Sequence, residues 1–206
     1  MLTETYRPQT ISEFAGLEKP KRILTSFVAN PGEDSFLFVG NPGTGKTTMA
    51  QAVAKELNAQ IVHIASQKCS AQAMADLARE CAFMPMWGDW RVVICDEADR
   101  MTEGAQLALL SMLDSTARPA RTIFLFTANS TDGLEPRFLS RCKVLEFSSY
   151  GLLNPAVDLL RKVWANESGR MKQPALLEPD YARILKNNQN NIRGALQNLE
   201  MELLSA

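Results

Sequence analysis

Only one histidine and four cysteines occur among the 206 residues. Cys69, Cys81, Cys95 and Cys142 form no C-x-x-C pair, and two of them fall inside apolar or motif-bearing runs. That spacing argues against a zinc site and against a disulfide framework, and leaves reduced thiols that are buried or incidental. The single histidine, His63, sits in an apolar run with no partner at a chemically suggestive spacing, so it reads as structural. An excess of either charge is also missing, since 22 Lys and Arg against 23 Asp and Glu leave a formal net charge of -1. A global basic field for nucleic acid is thereby excluded, and phosphate binding has to come from a local cluster of cations. No apolar run approaches the ~18 residues that cross a membrane, and Met1–Thr5 shows neither a basic start nor an apolar core of a signal segment. A cytoplasmic protein without a membrane partner is the expectation. With 46% hydrophobic and 22% charged residues the chain has the mix of a folded domain with a sizeable core, not of a disordered or collagenous one.

Short apolar runs alternate with helix-length segments. The runs are Phe36–Val39, Ile61–Ile64, Val92–Cys95, Ile123–Phe126 and Val144–Phe147, of which the first, third and fourth are continuously apolar, as strands covered on both faces are. Lys46–Leu57, Ala71–Cys81 and Glu103–Leu113 are rich in Ala, Leu, Gln and Met and carry apolar residues at helical spacing. This order predicts an α/β domain over residues 1–149, built on a five-stranded parallel sheet flanked by helices. Residues 150–206 predict helices only, at Pro155–Glu167, Pro179–Lys186 and Asn191–Leu204, separated by Gly169 and the Pro174–Pro179 stretch. A small helical domain therefore follows the sheet, with a hinge near Ser148–Gly151. No internal repeat or low-complexity tract is present.

The densest chemistry lies at Gly40-Asn41-Pro42-Gly43-Thr44-Gly45-Lys46-Thr47, which fits G-x-x-x-x-G-K-[ST] directly after a buried run and at the start of a helical one. Glycines let backbone N–H groups curl around phosphates, and the helix N-terminus adds partial positive charge. Lys46 reaches the β and γ oxygens and the Thr47 hydroxyl ligates Mg²⁺; Thr48 continues the motif. Val92–Cys95 ends in Asp96 and Glu97, at the strand end where α/β sheets bind ligands. Asp96 suits the Mg²⁺ shell and Glu97 suits polarising a water for in-line attack; the competing reading is an acidic cap, Asp96 or Asp99, before Met101. Asn129, at the tip of the fourth run, orients the attacking water or touches the γ-phosphate, or else is an ordinary turn residue.

Together with Tyr6-Arg7-Pro8, Asp-Glu-Ala-Asp at 96–99, Thr-Ala-Asn at 127–129, Ser140-Arg141-Cys142 and Asn191-Ile192-Arg193-Gly194-Ala195-Leu196, these motifs stand in the order and spacing of AAA+ ATPases. The chain resembles the ATPase subunits of DNA polymerase clamp loaders: the replication factor C small subunits, their phage counterparts and the bacterial tau/gamma subunit. The resemblance implies a P-loop AAA+ domain followed by a helical lid domain, binding ATP or ADP with Mg²⁺ held through Thr47 and Asp96. It implies that Tyr6, Arg7 and Pro8 line the adenine pocket, with Asn41, Pro42, Gly43, Thr44, Gly45 and Thr48 around the phosphates. Lys46, Glu97 and Asn129 would act in hydrolysis. Arg141 would be an arginine finger reaching the nucleotide of a neighbouring AAA+ subunit, and Arg193 the lid arginine that senses the γ-phosphate. The implied partners are a sliding clamp and primer-template DNA, in the cytoplasm or, for a virus-encoded member, the host cytoplasm.

Departures from the family pattern modify these expectations. Family members carry a helical collar domain after the lid, and the sequence ends at Ala206, so a stable ring is expected only if a collar is supplied. The tau/gamma zinc module has no cysteine quartet here. Leu110 and Ser111 stand where many replication factor C subunits have two arginines, which weakens direct DNA contact, while Ser66-Gln67-Lys68 reads as an exposed loop before it reads as a phosphate contact. Met84–Trp90 is aromatic for a loop; its two tryptophans cap the core edge or stack on a base or partner. The leading expectation is an ATP-hydrolysing module of clamp-loader type. The alternatives are another AAA+ DNA motor or helicase loader, and a nucleotide-gated binding module with little hydrolysis of its own.

Overall fold

The computed structural model describes residues 1–65, 70–149, 151–171 and 179–205. Ser66, Gln67, Lys68, Cys69, Tyr150 and the breaker stretch from Pro174 to Glu178 lie outside the described residues. The helices are α1 Leu2–Thr5, α2 Glu18–Ala29, α3 Lys46–Glu56, α4 Ala71–Cys81, α5 Glu103–Leu113, α6 Pro136–Leu139, α7 Leu153–Met171, α8 Tyr181–Asn187 and α9 Ile192–Ser205. The strands are β1 Ser35–Val39, β2 Gln60–Ala65, β3 Arg91–Asp96, β4 Thr122–Ala128 and β5 Lys143–Glu146. All pair in parallel, in the order β2-β3-β4-β1-β5. The continuous apolar runs became the three central strands, while the edge strands leave Ile61 and Val144 exposed.

Alternation along each strand divides the core in two. Phe36, Phe38, Val92, Ile94, Ile123 and Leu125 meet Leu24 of α2 and Met49 and Val53 of α3. On the opposite face Leu37, Val93, Cys95, Phe124 and Phe126 meet Met74 and Leu77 of α4, Leu109 and Leu113 of α5 and Phe138 of α6. The register aligns Val39 with Ala128 and Cys95 with Phe126. The C-terminal ends of β1, β4 and β3 therefore lie side by side, and whatever follows them shares one crevice.

Three helices are additions to the sequence reading. In α2, Pro20 stands in the first turn, where the N–H it lacks would have no intrahelical acceptor anyway. The other two, α1 and α6, have four residues each. The expected break at Gly169 is absent, because α7 runs through it to Met171; one helical glycine costs only about 0.5–1 kcal/mol relative to alanine.

The last three helices pack around Leu160, Val163, Leu185, Ala195 and Leu199. Leu2, from the segment grouped with the α/β part in the sequence reading, is buried in this cluster, and Tyr6 packs against it. The Leu2 N–H donates to Glu200 at 3.2 Å and the Tyr6 hydroxyl to Glu167 at 2.8 Å. In the α4–β3 loop, the buried Arg91 guanidinium donates to the carbonyls of Phe83 and Met84, and Met86 N–H to Gln60. Trp90 packs on the sheet core, as a capping role requires, whereas Trp87 is exposed together with Phe83, Met84 and Met86. Among the described residues no helix is long and apolar enough to cross a membrane.

Candidate functional site

The turn between β1 and α3 reverses the chain through Gly43 and Gly45, whose φ values of 79° and 90° are accessible to glycine at little cost. Gly45 is the N-cap of α3, so Lys46 and Thr47 begin the helix. The buried Lys46 ammonium donates to the carbonyls of Gly40 at 2.6 Å and Asn41 at 3.0 Å and to Asn129 Oδ1 at 3.2 Å. Burial pushes its pKa below the ordinary lysine value; Asp99 opposes that shift, Arg193 adds to it, and Asp96 and Glu97 oppose it. The Thr44 hydroxyl donates to the Asn41 carbonyl at 2.8 Å and stiffens the loop.

Two strands away, Asp96 accepts from the Thr47 hydroxyl at 2.6 Å and from the Thr127 hydroxyl at 3.0 Å. Thr127 in turn accepts the Glu97 N–H at 3.1 Å. Glu97 has a φ of 54°, which turns the chain out of β3, and its carboxylate lies 3.4 Å from Arg100 Nε. The strand order thus brings Lys46, Thr47, Asp96, Glu97 and Asn129 together, and Asp96 is no helix cap. Asp99 also faces this region, with one carboxylate oxygen buried and no hydrogen-bond partner among the described residues. His63 corrects the sequence reading: its Nε2 is 2.5 Å from Asp96 Oδ2, so it does have a partner. Paired oxygen donors from Thr47 and Asp96, exposed to solvent on one side, fit a hard cation such as Mg²⁺, which keeps several other oxygen ligands.

A cavity of about 300 Å³ opens beside the loop, lined by Tyr6, Arg7 and Pro8, by Leu159, Ile192 and Arg193, and by Gly43, Thr44, Gly45 and Thr48 of the loop and the start of α3. Phe14, Ala15, Leu17 and Leu196 complete its apolar wall; the sequence reading did not include them. A larger depression of about 410 Å³ shares Arg7 and Pro8 but continues along α3 to Lys55, His63 and Trp87, away from the phosphate loop.

The sequence pattern of the ATPase family associated with various cellular activities (AAA) matches residues 36–150, the span that holds all five strands and the polar cluster. The chain belongs to the AAA family of ATPases. Its relatives include replication factor C small subunit 1 of Pyrobaculum islandicum, 35% identical over 70% of this chain and 46% of the relative. Small subunit 2 of the same organism is 31% identical over 96% of this chain and 62% of the relative. Replication factor C subunit 3 of Blastobotrys adeninivorans is 36% identical over 70% of this chain and 45% of the relative. The AAA chain thus spans about half to three fifths of the relatives' length in these matches. A solved RuvB Holliday junction branch migration motor of Thermotoga maritima shares the fold, with a TM-score of 0.73 over 95% of this chain and 64% of that one at 23% identity.

Of two further arginines of this AAA chain, Arg193 acts on Lys46 through its charge, and Arg141 stands apart from the phosphate-loop cluster. Arg193, in the first turn of α9, is exposed on the rim of the smaller cavity. Arg141, between α6 and β5, donates to Asp114 at 3.1 Å and to the Arg137 carbonyl at 3.0 Å, and it lines neither cavity. Asp114, which nothing in the sequence marked, is itself held by the Thr116 hydroxyl and N–H. These bonds, with Arg141, keep its carboxyl below the usual aspartate range.

Proposed function

We propose that this chain binds ATP or ADP with Mg²⁺ and hydrolyses ATP as a clamp-loader AAA+ module, coupling turnover to loading of a sliding clamp on primer-template DNA. The observation that carries the nucleotide reading is the convergence of Lys46, Thr47, Asp96 and Asn129 at the ends of three adjacent strands. The names of the replication factor C relatives support the clamp-loader assignment. The hydrogen-bonded loop with exposed Phe83, Met84, Met86 and Trp87 offers a protein partner an apolar contact, as large exposed patches generally do.

The chemistry divides among named groups. The adenine lies between Tyr6-Arg7-Pro8 and the Ile192–Leu196 face of α9, and the backbone N–H groups of the loop cradle the phosphates. Lys46 turns from the loop carbonyls to the β and γ oxygens. Thr47 and Asp96 would hold Mg²⁺, which would supply neutralisation of negative charge on the phosphates. Glu97 polarises the attacking water, and Asn129 holds it in line. Transition-state charge on the γ-phosphate is met by Arg193 from the lid and by Arg141 from a neighbouring subunit. The latter is an effect of about 10³–10⁵ for such fingers.

The test is steady-state ATP hydrolysis over a range of protein concentrations, with and without primer-template DNA and a sliding clamp. A rate per subunit that rises with concentration and again with DNA and clamp is the expected result. Because Arg141 is tied to Asp114 and lines neither cavity of its own chain, a low rate indifferent to all three would instead identify a nucleotide-gated binding module.

A further inference from the structure

Resting on the nucleotide reading above, we propose that Asn191 is a positioning residue that latches the lid to the phosphate loop and slows nucleotide release. Its side chain makes two bonds in opposite directions. The carboxamide oxygen accepts the Gly194 N–H at 3.2 Å and so caps α9, while the carboxamide nitrogen donates to the Pro42 carbonyl at 3.2 Å. One side chain therefore joins the first turn of the helix that carries Arg193 to the loop that leads into Lys46.

The contact depends on a glycine. A Cβ added at Gly43 would lie 2.1 Å from Asn191 Oδ1, so the carboxamide lies directly over a position that no side chain can share. The bond also orients the loop. In a planar trans peptide the C=O and N–H point in opposite directions, so holding the Pro42 carbonyl toward the lid turns the Gly43 N–H away from it. Breaking the bond releases the Pro42–Gly43 peptide and the entry of α9 together, and with them the closed side of the cavity.

Substitution separates the latch from the cap. Serine at this position caps a helix about as well as asparagine, carries no charge and is too short to reach Pro42; alanine loses both bonds. Dissociation of fluorescent N-methylanthraniloyl ADP, followed by stopped flow, and thermal melting of the same proteins make the test. Asn191→Ser is expected to release ADP about 3–10-fold faster, the value of one ordinary hydrogen bond, and, because it keeps the cap, to melt above Asn191→Ala. Asn191→Ala is expected to show the same fast release and to melt about 2–4 °C lower, from loss of the cap. ADP release from Asn191→Ser at the wild-type rate overturns the latch and leaves Asn191 a cap only. A wild-type protein that binds no ADP overturns the nucleotide reading itself, and the latch falls with it.

Discussion

Burial works against the charge on Lys46, and three acceptors hold the ammonium in place against that cost. An anion delivered to it meets an ammonium already largely desolvated, which exchanges loop acceptors for phosphate oxygens, so this side chain should dominate affinity. Lys46→Ala is expected to weaken ATP binding by at least about 10–100-fold in titration calorimetry, since hydrogen bonds to charged groups are worth about 1.5–3 kcal/mol each. Arg141→Ala is expected to leave that affinity unchanged and to lower turnover toward the basal rate, because Arg141 lines neither cavity of its own chain. Equal loss of binding in both variants would sink the assignment of Arg141 to a neighbour's nucleotide. Cys142 gives a pH-dependent case, its thiol pushed up to about 12 by burial. A raised thiol pKa favours the protonated folded state, so the stability it confers is complete below the unfolded value near 9 and is lost as pH rises toward 12. Melting temperatures at pH 8 and pH 10.5 should therefore fall further apart in the wild type than in Cys142→Ala.

At the scale of elements, α6 shows how little chain can hold a segment in place. It has four residues, yet Phe138 is fully buried and meets Phe126 edge-on at 4.9 Å between ring centres. Phe138→Ala is expected to cost about 3–5 kcal/mol in urea unfolding, and to loosen the segment that ends in Arg141. No reading of periodicity finds such an element, since four residues make a single helical turn. The central strands were legible for the opposite reason: β1, β3 and β4 are apolar on both faces, a pattern characteristic of strands buried inside a parallel sheet. Helix α2 carries Pro20 in its first turn, the part of a helix that tolerates proline, and the sequence alone does not fix that placement. The candidate site divides in the same way. Lys46, Thr47 and Asp96 were legible because phosphate chemistry demands a local motif, whereas His63 meets Asp96 only through the β2–β3 register, which pairs Ala65 with Asp96. No short-range spacing encodes a contact between strands.

For the molecule as a whole, the order β2-β3-β4-β1-β5 both makes the crevice and sets a burden on the chain that has to reach it. Neighbours in sequence, β1 and β2, are not neighbours in the sheet; β1 pairs only with β4 and β5. A polypeptide leaving the ribosome at about 5–20 residues per second must therefore carry Phe36, Leu37 and Phe38 without a strand partner until residues 122–128 have been made. Such late, long-range parallel pairing is slow and prone to aggregate. A chain stopped just before β4 is expected in the insoluble fraction on centrifugation of a lysate, while the full chain remains in the supernatant. The same stretch is then the natural grip for a ribosome-associated chaperone, so demand for protection during translation follows from where one strand was inserted in the sheet.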